Sequence, residues 1–113
     1  MHELGITQSI VEICAERAAG GQVAAKVVRV TLEIGRLTAV MPDAIRFCFA
    51  ICAEGTVLDG AALQIVDVPG KGRCRECLRE MEMTDFLARC ECGSIDIACI
   101  AGEGLRIKDM EVV

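Results

Sequence analysis

Apolar residues recur at Ile6, Ile10, Ile13 and Cys14, spacings of three and four that fall on one stripe of an α-helix. The pattern predicts a helix from Ile6 to about Ala19. Thr7 is its expected N-cap, since a hydroxyl there can accept one of the unpaired first-turn N–H groups. Gly20-Gly21 should end it, because glycine tolerates the left-handed backbone of a helix stop. The period then changes. Val28-Arg29-Val30-Thr31-Leu32-Glu33-Ile34 alternates apolar and polar residues over a β-branched run, predicting a strand with one buried and one wet face, interrupted by Gly35. Pro42 suits the first turn of a second helix, where its missing N–H has no partner to lose. That helix runs to about Glu54 with Ile45, Phe49 and Cys52 on one face, and Gly55 stops it. Ala62 to Val68, bounded by Gly60 and Pro69-Gly70, reads as a second strand. Leu105 to Val113 reads as a last one, with Leu105 and Ile107 facing one way. Met110 and Val112 are out of phase with them, which predicts a bulge or local twist.

Residues 69–103 differ in kind. They hold five of the eight cysteines, several charges and little periodic hydrophobicity. Such a stretch cannot bury enough apolar area to fold alone and needs a staple. The order is helix, strand, helix, strand, cysteine module, strand, with no internal repeat. It predicts an α+β fold: a small domain of two helices and a mixed sheet, residues 1–68 plus 104–113, with a zinc-ribbon domain, 69–103, inserted into it. The last strand is expected to return to the sheet of the first domain.

Composition narrows the function classes. Apolar residues make up 53% of the 113, enough for a real core, but only 3% are aromatic, so aliphatic side chains, Ala and Cys must fill it. A net charge of −5 argues against a nucleic-acid binder, because each phosphate contact wants a Lys or Arg. The opening MHELGITQSI has no basic start, unlike a secretory signal. No apolar run approaches the length of a membrane-spanning helix, so no membrane partner is expected. These features predict a cytoplasmic protein, where cysteines read as metal ligands and buried thiols before disulfides. A mean hydropathy of +0.45 leaves self-association as a homodimer open.

Cys74-Arg75-Glu76-Cys77 is followed by Cys90-Glu91-Cys92. Zinc prefers four ligands in a tetrahedron, and thiolates from two tight turns supply it. The irregularity is the single-residue spacer of the second pair. Side chains two apart in extended backbone stand about 7 Å from each other, so Cys90 and Cys92 converge on one ion only if the chain turns between them, and Cys99 stands as a reserve ligand. An iron–sulfur cluster is a competing use of these thiols. A thioredoxin-like redox pair is another, but that motif should open a helix within a βαβ unit. Cys14, Cys48 and Cys52 lie on predicted helix faces and read as core packing. Cys48 and Cys52, four apart, could also share a metal.

The chain's one histidine is His2. The Met1 amine, the His2 backbone nitrogen and the His2 ring nitrogen can close adjoining chelate rings around one ion, with the Glu3 backbone nitrogen at a fourth corner. Nitrogen ligands in a square plane favour Ni(II) or Cu(II) over zinc. Met1 should survive processing, because the pocket of the removing enzyme takes only small second residues.

Met1-His2-Glu3-Leu4, Leu32-Glu33-Ile34-Gly35, Phe47-Cys48-Phe49, the Cys74/Cys77 pair, Cys92-Gly93-Ser94 and the closing stretch from Leu105-Arg106-Ile107 to Val113 occur together and in order. On these motifs the chain resembles the HypA/HybF family of hydrogenase maturation factors. The resemblance implies a nickel metallochaperone, not an enzyme, that delivers Ni(II) during assembly of [NiFe]-hydrogenase and in some bacteria also serves urease. It places the nickel ligand on His2 with an acidic neighbour at Glu3, and structural zinc on Cys74, Cys77, Cys90 and Cys92. It implies as partners the nickel-handling GTPase HypB, the hydrogenase large-subunit precursor and urease accessory proteins. The rival readings are a zinc-ribbon adaptor without nickel transfer and a thiol–disulfide enzyme built on Cys74 and Cys77.

Overall fold

The computed structural model describes residues 3–20 and 25–113. The chelate expected at Met1 and His2, and the Gly21 half of the glycine stop, lie outside them. The elements run α1 (Glu3–Ala19), β1 (Val27–Gly35), α2 (Pro42–Ala53), β2 (Ala62–Val68), β3 (Gly70–Cys74), β4 (Glu80–Met83), β5 (Ile97–Ala101) and β6 (Leu105–Val112). Strands form two sheets of three, ordered β2-β1-β6 and β4-β3-β5. Two compact units result, one of residues 1–32, 40–65 and 107–113, the other of 33–39 and 66–106.

In the first unit, α1 begins earlier than the apolar stripe predicts, and Thr7 is not its cap. Thr7 is fully buried one turn inside the helix, where its hydroxyl donates to the Glu3 carbonyl at 2.7 Å. That backbone bond lets a polar side chain sit in the core. Glu3 instead supplies the negative charge that suits a first turn. The buried stripe is Thr7, Ile10, Val11, Cys14 and Ala18, rotated from the expected one, and Ile13 is exposed. On α2, Pro42 opens the helix as expected, while Ala53 joins Ile45 and Phe49 in the core and Cys52 is half-buried.

The alternation in β1 underestimates its burial. The strand is central, and Thr31 is buried along with Val30, Leu32 and Ile34. Its hydroxyl lies 3.4 Å from the Gln64 side-chain oxygen, and Arg36 donates its amide to the Val68 carbonyl, so β2 advances in the direction of β1. On the other side, Lys26 and Val113 exchange both backbone bonds, which makes β6 antiparallel. The remaining polar residues of β1 meet β6 through ion pairs, Arg29 with Glu111 and Glu33 with Arg106. The last strand therefore returns to the first sheet, and Ile107 and Met110 are both half-buried despite their three-residue spacing.

In the second unit, three backbone segments meet with no room between them. Gly35 and Leu37 donate to the carbonyls of Gly104 and Gly102, each at 2.8 Å. A Cβ at Gly35 would fall 2.1 Å from the Gly102 oxygen, and one at Gly102 would fall 2.6 Å from the Gly70 Cα. Gly102 also has φ +86, a left-handed backbone that a side chain strains.

Gly102→Ala is therefore expected to lower stability by more than about 3 kcal/mol, overpacking and backbone strain acting together. Gly60→Ala shares the positive φ (+77) but meets open space, and should lose only the roughly 1–2 kcal/mol of strain. Urea unfolding of the two variants measures the gap.

Candidate metal centre

The pairing Arg73↔Glu80 between β3 and β4 leaves 74–79 as the connecting turn. The Cys74 amide donates to the Arg79 carbonyl and the Leu78 amide to the Cys74 carbonyl, both at 2.9 Å. To close this turn Leu78 adopts φ +66, an unusual backbone for a residue with a Cβ. The Cys77 amide points at the Cys74 sulfur, 3.5 Å away. The second turn is built the same way. The Cys90 amide donates to the Ser94 carbonyl and the Gly93 amide to the Cys90 carbonyl, both at 2.9 Å, with Gly93 at φ +94. The chain thus reverses at Glu91, as a one-residue spacer requires.

These turns bring the sulfurs of Cys74, Cys77, Cys90 and Cys92 within 4.8 Å of one another. Across the two turns, Cys74 and Cys92 are 3.7 Å apart and Cys77 and Cys90 are 3.4 Å apart. A disulfide would need about 2.0 Å, and all four cysteines are free. A tetrahedron with zinc–sulfur bonds of about 2.3 Å has edges of about 3.8 Å, so the observed spacing leaves room for one such ion. Four soft donors in this arrangement suit zinc. Cys74 and Cys90 are buried while Cys77 and Cys92 are exposed, so half of the donor set faces inward.

Among the described residues, no other set of three or more potential ligands converges in this way. Cys99 is not drawn in. It lies on β5, opposite Gly72 of β3, and its thiol donates to the Ala101 carbonyl at 3.3 Å. The reserve role is not taken up, because the tight second turn lets Cys90 reach. Nor does the Cys74/Cys77 pair open a helix, as a redox motif would. It closes a β-hairpin.

Electrostatics favours loading of this centre. The Cys77 amide, opposed by burial and helped by the Glu76 amide and the Cys92 thiol, pulls Cys74 down from its ordinary 9.0 to about 6. Cys77 is pulled down by the Arg79 amide, but the Cys90 thiol, burial and Cys74 outweigh that and leave it above its ordinary value. One ligand is thus a thiolate near neutral pH, and its neighbour gives up a proton when a cation arrives. Arg79 bridges the two turns by pairing with Glu91 at 2.6 Å, and Arg75 pairs with Asp96 at 3.1 Å. The Leu78 conformation and the Ser94 carbonyl were not apparent from the cysteine spacing. The Cys-Gly-Ser run was the available signal for the second.

Of the residues expected at the nickel site, Glu3 alone is described. It begins α1, and its carboxylate accepts the Met41 amide at 3.3 Å, tying the start of α1 to the residue before Pro42 of α2.

Two outcomes follow from this geometry. Cys90→Ser should release the metal, whereas Cys99→Ser should retain it, as elemental analysis of the two purified variants will report. Zinc affinity should weaken as pH falls through about 6, where Cys74 gains a proton that the ion must displace. Competition with a zinc chelator across that pH range should show the loss, and pH-independent zinc binding there would contradict it.

Comparison with known proteins agrees with this architecture. The model of the HypA family, described as "Hydrogenase/urease nickel incorporation, metallochaperone, hypA", matches residues 1–112. The chain is 55% identical to "Hydrogenase maturation factor HypA" of Nostoc punctiforme, covering 99% of this chain and 96% of that protein. It is 49% identical to the protein of the same name in Geobacter metallireducens, covering 99% of each. The fold is similar to the solution structure of the Ni metallochaperone HypA from Helicobacter pylori, with a TM-score of 0.72 and 26% identity over 100% of this chain and 98% of that one. A second solution structure of a HypA protein gives a TM-score of 0.77 and 27% identity, covering 100% and 97%. The chain belongs to the HypA family of nickel metallochaperones, which act in hydrogenase maturation rather than as enzymes.

Proposed function

We propose that the chain binds Ni(II) at its amino terminus and hands it on during maturation of [NiFe]-hydrogenase, while zinc on Cys74, Cys77, Cys90 and Cys92 serves structure alone. The observation that carries this reading is the family match that begins at residue 1 and takes in Met1-His2-Glu3. The nickel ligands are the Met1 amine, the His2 backbone nitrogen and the His2 ring nitrogen, with the Glu3 backbone nitrogen as a fourth. The Glu3 carboxylate adds local negative charge, and its bond to the Met41 amide ties the start of α1 to the residue before α2. Domain 1–68 plus 104–113 carries nickel, and domain 69–103 carries zinc.

The chemistry supports a division of labour. A closed four-thiolate site holds its ion in place as part of the fold. A chelate on a chain end can lose its ligands one at a time to a recipient without unfolding any core. Loading requires the amine proton and the two backbone amide protons to leave, so affinity for nickel should rise with pH, the amine's share ending in its ordinary range of about 7.7–8.0. The recipients are the GTPase HypB and the hydrogenase large-subunit precursor, with urease accessory proteins where urease is served, and the protein works in the cytoplasm. Among the described residues no helix is long and apolar enough to cross a membrane.

Titration of untagged protein beside a version with residues added before Met1 tests the proposal. Nickel binding should be lost on extension, and equal binding by both forms contradicts a terminal chelate. His2→Ala should likewise abolish tight nickel binding while zinc content stays constant. Below the amine pKa, affinity should fall about tenfold per pH unit for that proton alone.

A further inference from the structure

We propose that Cys48 and Cys52 form a two-thiol site for a soft, two-coordinate monovalent ion of the copper(I) class, separate from the four-cysteine centre. Helix α2 spans Pro42–Ala53, so the two cysteines lie one turn apart on a single face. Both are free, and both are half-buried, which leaves them reachable by an ion yet partly shielded from water. As expected of two thiols one helical turn apart, burial and then the neighbouring Cys48 hold the Cys52 thiol above its ordinary value. Two thiolates at that range oppose one another, and a cation held between them removes the conflict.

The donor number selects the ion. The helical positions one turn from either cysteine are Ala44, Ile45, Phe49 and Ile51, since α2 ends at Ala53. None is a histidine or a carboxylate, and the Thr56 hydroxyl donates to the Ala53 carbonyl at 2.7 Å. Among the described residues, three or more ligands converge only at the four-cysteine centre. Two sulfurs leave Zn(II) or Ni(II) short of the four ligands each prefers, whereas copper(I) is satisfied by two, and thiolates favour it. A direct sulfur–sulfur bond fits poorly. Helical residues four apart hold their Cβ atoms about 5–6 Å apart, against about 3.5–4.5 Å in a disulfide. An ion placed between the sulfurs lengthens the bridge and spares the helix. Binding releases two thiol protons and changes no oxidation state.

The test is anaerobic titration of zinc-loaded, full-length protein with copper(I) supplied as its acetonitrile complex, in competition with a chromogenic copper(I) chelator, while zinc release is followed. Wild-type protein should bind one copper(I) ion with zinc retained, and X-ray absorption should show two sulfur neighbours. Cys48→Ser and Cys52→Ser should each weaken binding by at least about tenfold, the lower end of what even outer-sphere partners cost a metal site. Circular dichroism should show the helices of both variants intact. Equal copper(I) affinity in the double Cys48→Ser/Cys52→Ser variant, or copper(I) uptake matched by zinc release, overturns the assignment.

Discussion

The convergence of four sulfurs from two tight turns is the constraint on which the cysteine module depends. Between residues 70 and 101 the buried apolar side chains are Met83 and the two inward cysteines, Cys74 and Cys90. The ion pairs there, such as Arg73–Glu80 and Arg79–Glu91, lie on the surface, where solvent screening leaves them little weight. A stretch of this kind has backbone pairing but almost no core to hold it together. A structural zinc ion contributes on the order of 10–16 kcal/mol in small peptides, and that contribution is folding free energy. The hydrogen bonds around Cys74–Arg79 and Cys90–Ser94 set the sulfur positions, and the ion then fixes the turns to each other.

The other unit is stabilised differently. Leu32, Ile45, Leu58, Val27 and Val30 are completely buried, and β1 at the centre of its sheet has neighbours on both edges. Such a core holds without metal, so the proposed terminal chelate can exchange its ligands without unfolding it. A transfer protein needs affinity enough to load and coordination loose enough to release. The proposed separation of the two metals by ligand chemistry, sulfur for one and nitrogen for the other, meets both needs in one short chain.

Much of this was legible in the residues. The period-two run of β1, Pro42 at the start of α2, the left-handed Gly55 after it and the return of the last strand all follow from rules that the tertiary structure respects. The four sulfurs were legible because metal ligands must cluster at fixed spacings. The errors have physical causes. Thr7 reads as a cap because a hydroxyl near a helix start usually is one, yet its bond to the Glu3 carbonyl hides it in the core. The wet face of β1 is covered because ion pairs with β6 and the Thr31–Gln64 contact let polar residues sit where alternation predicts solvent. The close approach of Gly35, Gly70 and Gly102 involves segments more than thirty residues apart, and no local pattern encodes it.

The proposed function requires nickel and zinc to occupy different kinds of ligand. X-ray absorption at the nickel edge, on untagged protein carrying both metals, examines that separation directly. A first shell of nitrogen and oxygen atoms alone is the predicted result. Sulfur scattering at nickel would contradict it, because it would place the transferred ion on the thiols rather than on the chain's amino end.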